Sequence, residues 1–167
     1  MAKVEFYEIE SASFGGEVEI SILLPEGYRS DADPYPLILQ LHGGGGTRHH
    51  LAMMAPLYDK MFEDRVLRPC VVASLSAGSS MYIGLEEFVA RELPDWVSSH
   101  YNVISDAGNL CMTGASMGGF GTLHVGFRYP DRFCALAAME PGIEPSFTPE
   151  PPDRRSTWWR NDVSLVS

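Results

Sequence analysis

Three nearly continuous apolar runs, Leu37–Leu41, Cys70–Leu75 and Phe133–Met139, constrain this chain more than any other feature. A strand with one covered face alternates apolar and polar residues, whereas a strand covered on both faces does not need to. These runs are therefore predicted to be strands of a parallel sheet with helices above and below it. The segments between them follow a different period. Leu85, Phe88, Val89, Leu93, Trp96 and Val97 share one helical face, with Pro94 expected to kink or split that helix. His50 to Arg65 reads as a weaker helix. Phe120, Leu123 and Phe127 mark the apolar face of a third, closed by Tyr129-Pro130.

The first 24 residues differ. Val4–Glu10 is rich in β-formers and Gly15-Gly16 is a turn signal. Glu17 to Leu23 then alternates, with Val18, Ile20 and Ile22 on one side and Glu17, Glu19 and Ser21 on the other. That predicts a half-buried strand paired with the first as a hairpin. The expected fold class is α/β: a mostly parallel sheet with an antiparallel N-terminal hairpin. A chain of 167 residues fits one domain, 1–167. Residues 141–167 hold five prolines and little periodicity, so an irregular tail is expected there.

Composition narrows the functional classes. Hydrophobic residues make up 45% and charged residues 20% of the chain, which excludes a disordered or fibrous protein. A net charge of −10 repels phosphate backbones and argues against a nucleic-acid partner. The N-terminus has no apolar signal-peptide core, and no run reaches the roughly 18–20 apolar residues needed to span a bilayer. The expectation is a cytoplasmic protein with no membrane partner. Cys70, Cys111 and Cys134 lie in apolar runs without CxxC spacing, and are expected to be buried free thiols rather than a disulfide or zinc site.

Two glycine-rich loops follow two of the predicted strands, at the sheet edge where open α/β folds bind ligands. Gly114-Ala115-Ser116-Met117-Gly118 matches G-x-S-x-G. Asn109 to Thr113 reads as a strand before it and Met117 to Phe127 as a helix after it. A nucleophile elbow needs that context, since a sharp strand-to-helix turn lifts the Ser hydroxyl clear of the sheet. The alternative is a glycine-rich βα turn that only packs tightly. His42-Gly43-Gly44-Gly45-Gly46-Thr47 follows Leu37–Leu41 and fits an oxyanion loop that supplies a backbone N–H. A phosphate cradle or a plain loop are its alternatives, although the Lys of a Walker A loop is missing from Gly46-Thr47-Arg48.

The segments Leu41–Gly46, Trp96–Val103, Cys111–Gly121 and Tyr129–Phe133 together resemble the esterase D / S-formylglutathione hydrolase / feruloyl esterase group of α/β-hydrolases. The resemblance runs over roughly residues 3 to 140, with Trp158-Trp159-Arg160 a weaker continuation. It implies carboxylic-ester hydrolysis through an acyl-enzyme, without a cofactor or metal, on a small-molecule ester. By motif match Ser116 is the nucleophile, and the Met117 and Gly44 amides are the oxyanion donors.

The chain departs from that pattern after the elbow. The family order is Ser, then Asp or Glu, then His, and the only later histidine is His124, inside the following helix. No catalytic His is identified. Glu140, at the end of the strand after the elbow, is a candidate acid; Asp131, Glu144, Glu150, Asp153 and Asp162 are the other later carboxylates. His42, His49 or His50 could approach Ser116 from the loop side, and His100 reads as a solvated helix end. A His49/His50 metal site lacks supporting ligands. The resemblance thus implies the N-terminal portion of an α/β-hydrolase, cut after the strand that follows the nucleophile helix, with reduced or no activity alone. The last strand, Phe133–Met139, would then be an open edge prone to self-association. A non-catalytic binding module and an acyltransferase using the same nucleophile are the alternative functions. Trp158 and Trp159 either line a pocket or pack on the sheet.

Overall fold

The computed structural model describes residues 1–104 and 106–143. Glu144, Glu150, Asp153, Asp162, Trp158, Trp159 and most of the proline-rich tail lie outside them. The strands are β1 (Lys3–Ser11), β2 (Gly16–Leu24), β3 (Tyr35–Leu41), β4 (Val71–Leu75), β5 (Val103–Ile104), β6 (Leu110–Ala115) and β7 (Ala135–Met139). The helices are α1 (His49–Glu63), α2 (Leu93–His100) and α3 (Met117–Arg128), with a π-helical turn, Phe88–Glu92, leading into α2.

The sheet order is β1-β2-β4-β3-β6-β7, with the short β5 pairing the start of β3. β1 and β2 form the expected hairpin, in register from Lys3↔Leu24 to Ser11↔Gly16. β2 also pairs antiparallel with β4. From β4 onward, through β3, β6 and β7, every pairing is parallel. The chain leaves β3 toward β4 on one side and returns to β6 on the other. β3 is therefore the point at which the winding reverses, and its carboxyl end is where a site is expected.

Two apolar layers cover the sheet. One face carries Ile20, Ile22, Leu37, Leu39, Leu41, Leu75, Leu110 and Met112 against Tyr82, Phe88, Leu93, Val97 and Val125 from the π-turn, α2, α3 and the loop before them. The other carries Leu23, Cys70 and Val72 against Leu51 and Tyr58 of α1. Both layers bear on β4, whose five residues are all buried, as its continuous apolar run predicts.

Pro94 lies in the first turn of α2, where its missing N–H costs least. Leu93 N–H donates to the carbonyl of Phe88, five residues back. Pro94 cannot donate to Ala90, and the Ala90 carbonyl instead accepts from Arg132 Nε at 3.0 Å. The expected break is thus a change from π to α geometry.

Four expectations need correction. β2 is not half-buried along its length: Ser21 and Leu23, on its second face, are fully buried because β4 flanks the strand and α1 covers it. The buried face of α3 is made by Met117, Gly118, Gly119, Gly121, Thr122, Val125 and Gly126. Phe127, assigned to that face from its period, is 74% exposed. α3 packs through glycines because its backbone comes too close to the sheet for side chains. β7, despite its apolar run, is covered on one face only, although its place at the edge of the sheet among the described residues is the expected one. The thiols are not uniformly buried either: Cys70 is, Cys111 is half-buried and Cys134 is exposed.

Candidate active site

β6 ends at Ala115 and α3 begins at Met117, so Ser116 alone makes the turn. Its backbone is at φ 56°, ψ −118°, in the left-handed half of the map that a non-glycine residue avoids. Such a residue costs on the order of 1–3 kcal/mol and persists only where its surroundings hold it. Three hydrogen bonds do so here. Ser116 N–H donates to the Met139 carbonyl at 3.0 Å, and its own carbonyl accepts from Phe120 N–H at 3.0 Å and Gly142 N–H at 3.1 Å. The Ser116 side chain is exposed, between the buried Gly114 and Met117.

The glycines of the motif have a steric reason. A Cβ on Gly118 would lie 2.1 Å from the Leu41 carbonyl oxygen, and one on Gly114 would lie 2.3 Å from the Gly118 carbonyl oxygen. The first turn of α3 is thereby pressed against the end of β3. As the first residue of a helix, Met117 has an N–H with no intrahelical partner, pointing outward at the positive end of the helix dipole.

The His42–Thr47 loop runs beside this turn. A Cβ on Gly43 would lie 3.7 Å from the Ala115 carbonyl oxygen and 3.9 Å from Ser116 Cβ. The Gly45 amide is used by Gly78, at 2.8 Å, and the Gly46 amide by Gly43, at 3.1 Å. Among the described residues the Gly44 amide makes no hydrogen bond, and Gly44 is exposed. Of the two amides assigned from the sequence, Met117 follows Ser116 directly at the start of α3, and Gly44 follows Gly43, the loop residue that lies beside Ser116.

His42 holds the loop and does not face Ser116. Its side chain is 1% exposed. The Ala77 N–H, which can only donate, meets Nε2 at 2.9 Å. The ring proton is therefore on Nδ1, which donates to the Gly43 carbonyl at 2.7 Å. Burial pushes the imidazole below its ordinary range, against the opposing pull of the Gly43 carbonyl, so the ring is neutral. The His42 carbonyl accepts from Tyr82 Oη at 2.9 Å.

The other histidines are also placed elsewhere. His49 packs on Phe6 with ring centroids 4.9 Å apart. His50 is half-buried in the first turn of α1. His100 stacks on Trp96 at 4.0 Å. His124 Nε2 pairs with Glu86 at 2.8 Å. Burial alone would raise the Glu86 carboxyl, but the His124 hydrogen bond and nearby backbone amides hold it below the usual range. Among the described residues, which include all five histidines, no hydrogen bond reaches Ser116 Oγ. No group of three or more His, Cys, Asp or Glu there could hold a metal ion.

Glu140 follows Met139 at the end of β7, with φ 42°. It is exposed and adjoins the Ser116 turn through the Met139 and Gly142 bonds on either side of it. No histidine pairs with it among the described residues. Asp131 is exposed in the turn before β7.

Two residues that position the loop escaped sequence reasoning. Tyr82 reaches the His42 carbonyl from the chain after β4. Arg48 fastens the far end of the loop: its amide donates to Ser76 Oγ at 2.9 Å, its carbonyl accepts from Ser21 Oγ at 2.8 Å, and its guanidinium meets the Tyr7 carbonyl, Glu8 and Glu19. The alternating Glu17 and Glu19 of β2 were the one available hint of a basic partner.

The Esterase family model matches residues 11–166. The chain belongs to the Esterase family. An esterase of Mycobacterium tuberculosis is 22% identical over 150 residues, 80% of this chain and 31% of that one. The S-formylglutathione hydrolase of Paracoccus denitrificans is 29% identical over 87 residues, 47% of this chain and 30% of that one. The chain spans about a third of the length of these curated relatives. Among solved structures, a ferulic acid esterase of Anaeromyces mucronatus superposes with a TM-score of 0.74 at 17% identity, covering 91% of this chain and 62% of that one. An S-formylglutathione hydrolase of Staphylococcus aureus superposes at 0.65 and 16% identity, covering 84% and 58%. The fold is that of the α/β-hydrolases, and the resemblance read from the motifs holds. Among the described residues no helix is long and apolar enough to cross a membrane.

Proposed function

We propose that this chain carries the nucleophile and the oxyanion donors of a serine carboxylic-ester hydrolase. Ser116 Oγ attacks the carbonyl of a small ester. The Met117 and Gly44 amides receive the oxyanion, the alcohol leaves, and water hydrolyses the acyl-enzyme. The observation that carries this reading is the Ser116 backbone, held in a strained conformation with its side chain exposed between the α3 N-terminus and the glycine loop. A tightly packed βα turn has no need of that strain.

On this reading the general base is the missing part, since among the described residues no hydrogen bond reaches Ser116 Oγ. With His42, His100 and His124 engaged elsewhere, turnover by the chain alone is slow, resting on electrostatic stabilisation and binding. Those alone leave roughly 10³–10⁴ over the uncatalysed rate. The same fact favours a second reading, a hydrolase-like module that binds a ligand without turning it over.

Turnover of p-nitrophenyl acetate by the chain and by Ser116→Ala tests both. Release that depends on Ser116 supports the hydrolase. Equal release by both proteins, with saturable binding of a non-hydrolysable ester analogue, supports the binding module. An added alcohol acceptor separates hydrolysis from acyl transfer, since only a transferase then yields the new ester. On this reading the protein works on a soluble small molecule in the cytoplasm.

A further inference from the structure

Cys111 and Cys134 are 23 residues apart in sequence, yet their Sγ atoms lie 3.3 Å from each other. Cys111 is the second residue of β6, in register with Ala135 of β7. Cys134 is the residue just before that partner, and its amide donates to the Leu110 carbonyl at 3.0 Å. With strands about 4.8 Å apart and a rise of about 3.3 Å per residue, the two Cα atoms are offset by roughly 6 Å. A disulfide needs about 4.4–6.8 Å. The sulfurs already touch, so closure to a bond requires side-chain rotation and little backbone movement.

We propose that Cys111 and Cys134 form a reversible dithiol–disulfide site that staples β7 to β6 when the protein meets a peroxide. This inference is independent of the esterase reading. Cys134 is the exposed thiol and meets the oxidant first. Burial and the hydrogen bond shared with Cys134 push the Cys111 thiol up to about 11, so Cys111 acts second, as the resolving thiol. With hydrogen peroxide, the Cys134 thiolate takes one oxygen to become a sulfenic acid and hydroxide leaves. The Cys111 thiolate then attacks that sulfur and expels a second hydroxide. The two thiol protons and the two hydroxides make two waters, the thiols lose two electrons, and the peroxide gains them. Cys70 stays out of the reaction: it is buried, and burial pushes its thiol up to about 12.

The bond would lie roughly 16 Å along β6 from Ser116, too far to enter the site. It would close a loop holding the Ser116 turn and all of α3. Its effect is on the hold of β7, the strand from which the Ser116 amide hangs.

The test is a thiol count and a disulfide map of the purified chain before and after mild hydrogen peroxide. Denatured protein is expected to fall from three titratable thiols to one, with a Cys111–Cys134 linked peptide that dithiothreitol reverses. Oxidised wild type is expected to melt roughly 5–10 °C above reduced wild type. Cys134→Ser and Cys111→Ser should show no oxidant-dependent rise. Cys134 oxidised alone, a Cys134–Cys134 link between two chains, or three surviving thiols would each overturn the proposal.

Discussion

The Ser116 amide donates to the Met139 carbonyl at 3.0 Å, so the turn that exposes Ser116 is hung from the last residue of β7. The strain at Ser116 is borne by a neighbouring strand as well as by its own helix. This relationship ties the integrity of the candidate site to the parallel ladder running from Cys111↔Ala135 to Ala115↔Met139, and it makes the close contacts of α3 with the sheet testable.

Gly118→Ala tests the contact between α3 and β3. In an open helix interior, Gly to Ala gains roughly 1 kcal/mol. Here the new Cβ would lie 2.1 Å from the Leu41 carbonyl oxygen, a backbone atom that cannot swing away. The clash wins, and a net loss of about 3 kcal/mol is expected, read as a lower urea midpoint. Gly16→Ala, with nothing within 4 Å, is the control and should stay within about 0.5 kcal/mol of wild type.

Phe127 and Leu39 test the corrected packing. The period of α3 places Phe127 on the core face, but it is 74% exposed, whereas Leu39 is 0% exposed. Phe127→Ala should change stability by less than about 0.5 kcal/mol. Leu39→Ala should cost roughly 2–5 kcal/mol. Similar losses in the two thermal melts would contradict the packing described.

The misreading of α3 has a physical source. Hydrophobic periodicity finds side chains that seek the core, and glycine has none, although Gly118, Gly121 and Gly126 lie nearest the sheet and its neighbours. β3 and β4 were legible because burial on both faces writes a continuous apolar run. β7 carries the same kind of run with only one face covered, so the run overstated its burial. The two-residue β5 is too short to carry a period. The Ser116 turn was legible because its geometry restricts residue type at several consecutive positions. The contacts of Tyr82 and Arg48 join side chains to distant backbone carbonyls, a pairing with no spacing in the sequence.

His42 gives a pH signature. Its folded pKa is depressed by burial, while in the unfolded chain it titrates near 6.5. Between the two values the unfolded chain holds a proton that the folded chain does not. Stability therefore rises with pH across that window and is lost as pH falls below about 6.5. The urea midpoint should drop from pH 7.5 to pH 5.5, and His42→Asn should flatten that dependence. An unchanged slope in the variant would show that His42 is not the group responsible.

The most direct test of the account is where the acyl group goes. After brief exposure to p-nitrophenyl acetate and an acid quench, peptide mass spectrometry locates any acetyl group on the chain. The account predicts acetylation of the peptide containing Ser116, lost in Ser116→Ala, whose melting temperature stays close to that of wild type. An unmodified Ser116, with p-nitrophenol released equally by the two proteins, would contradict it.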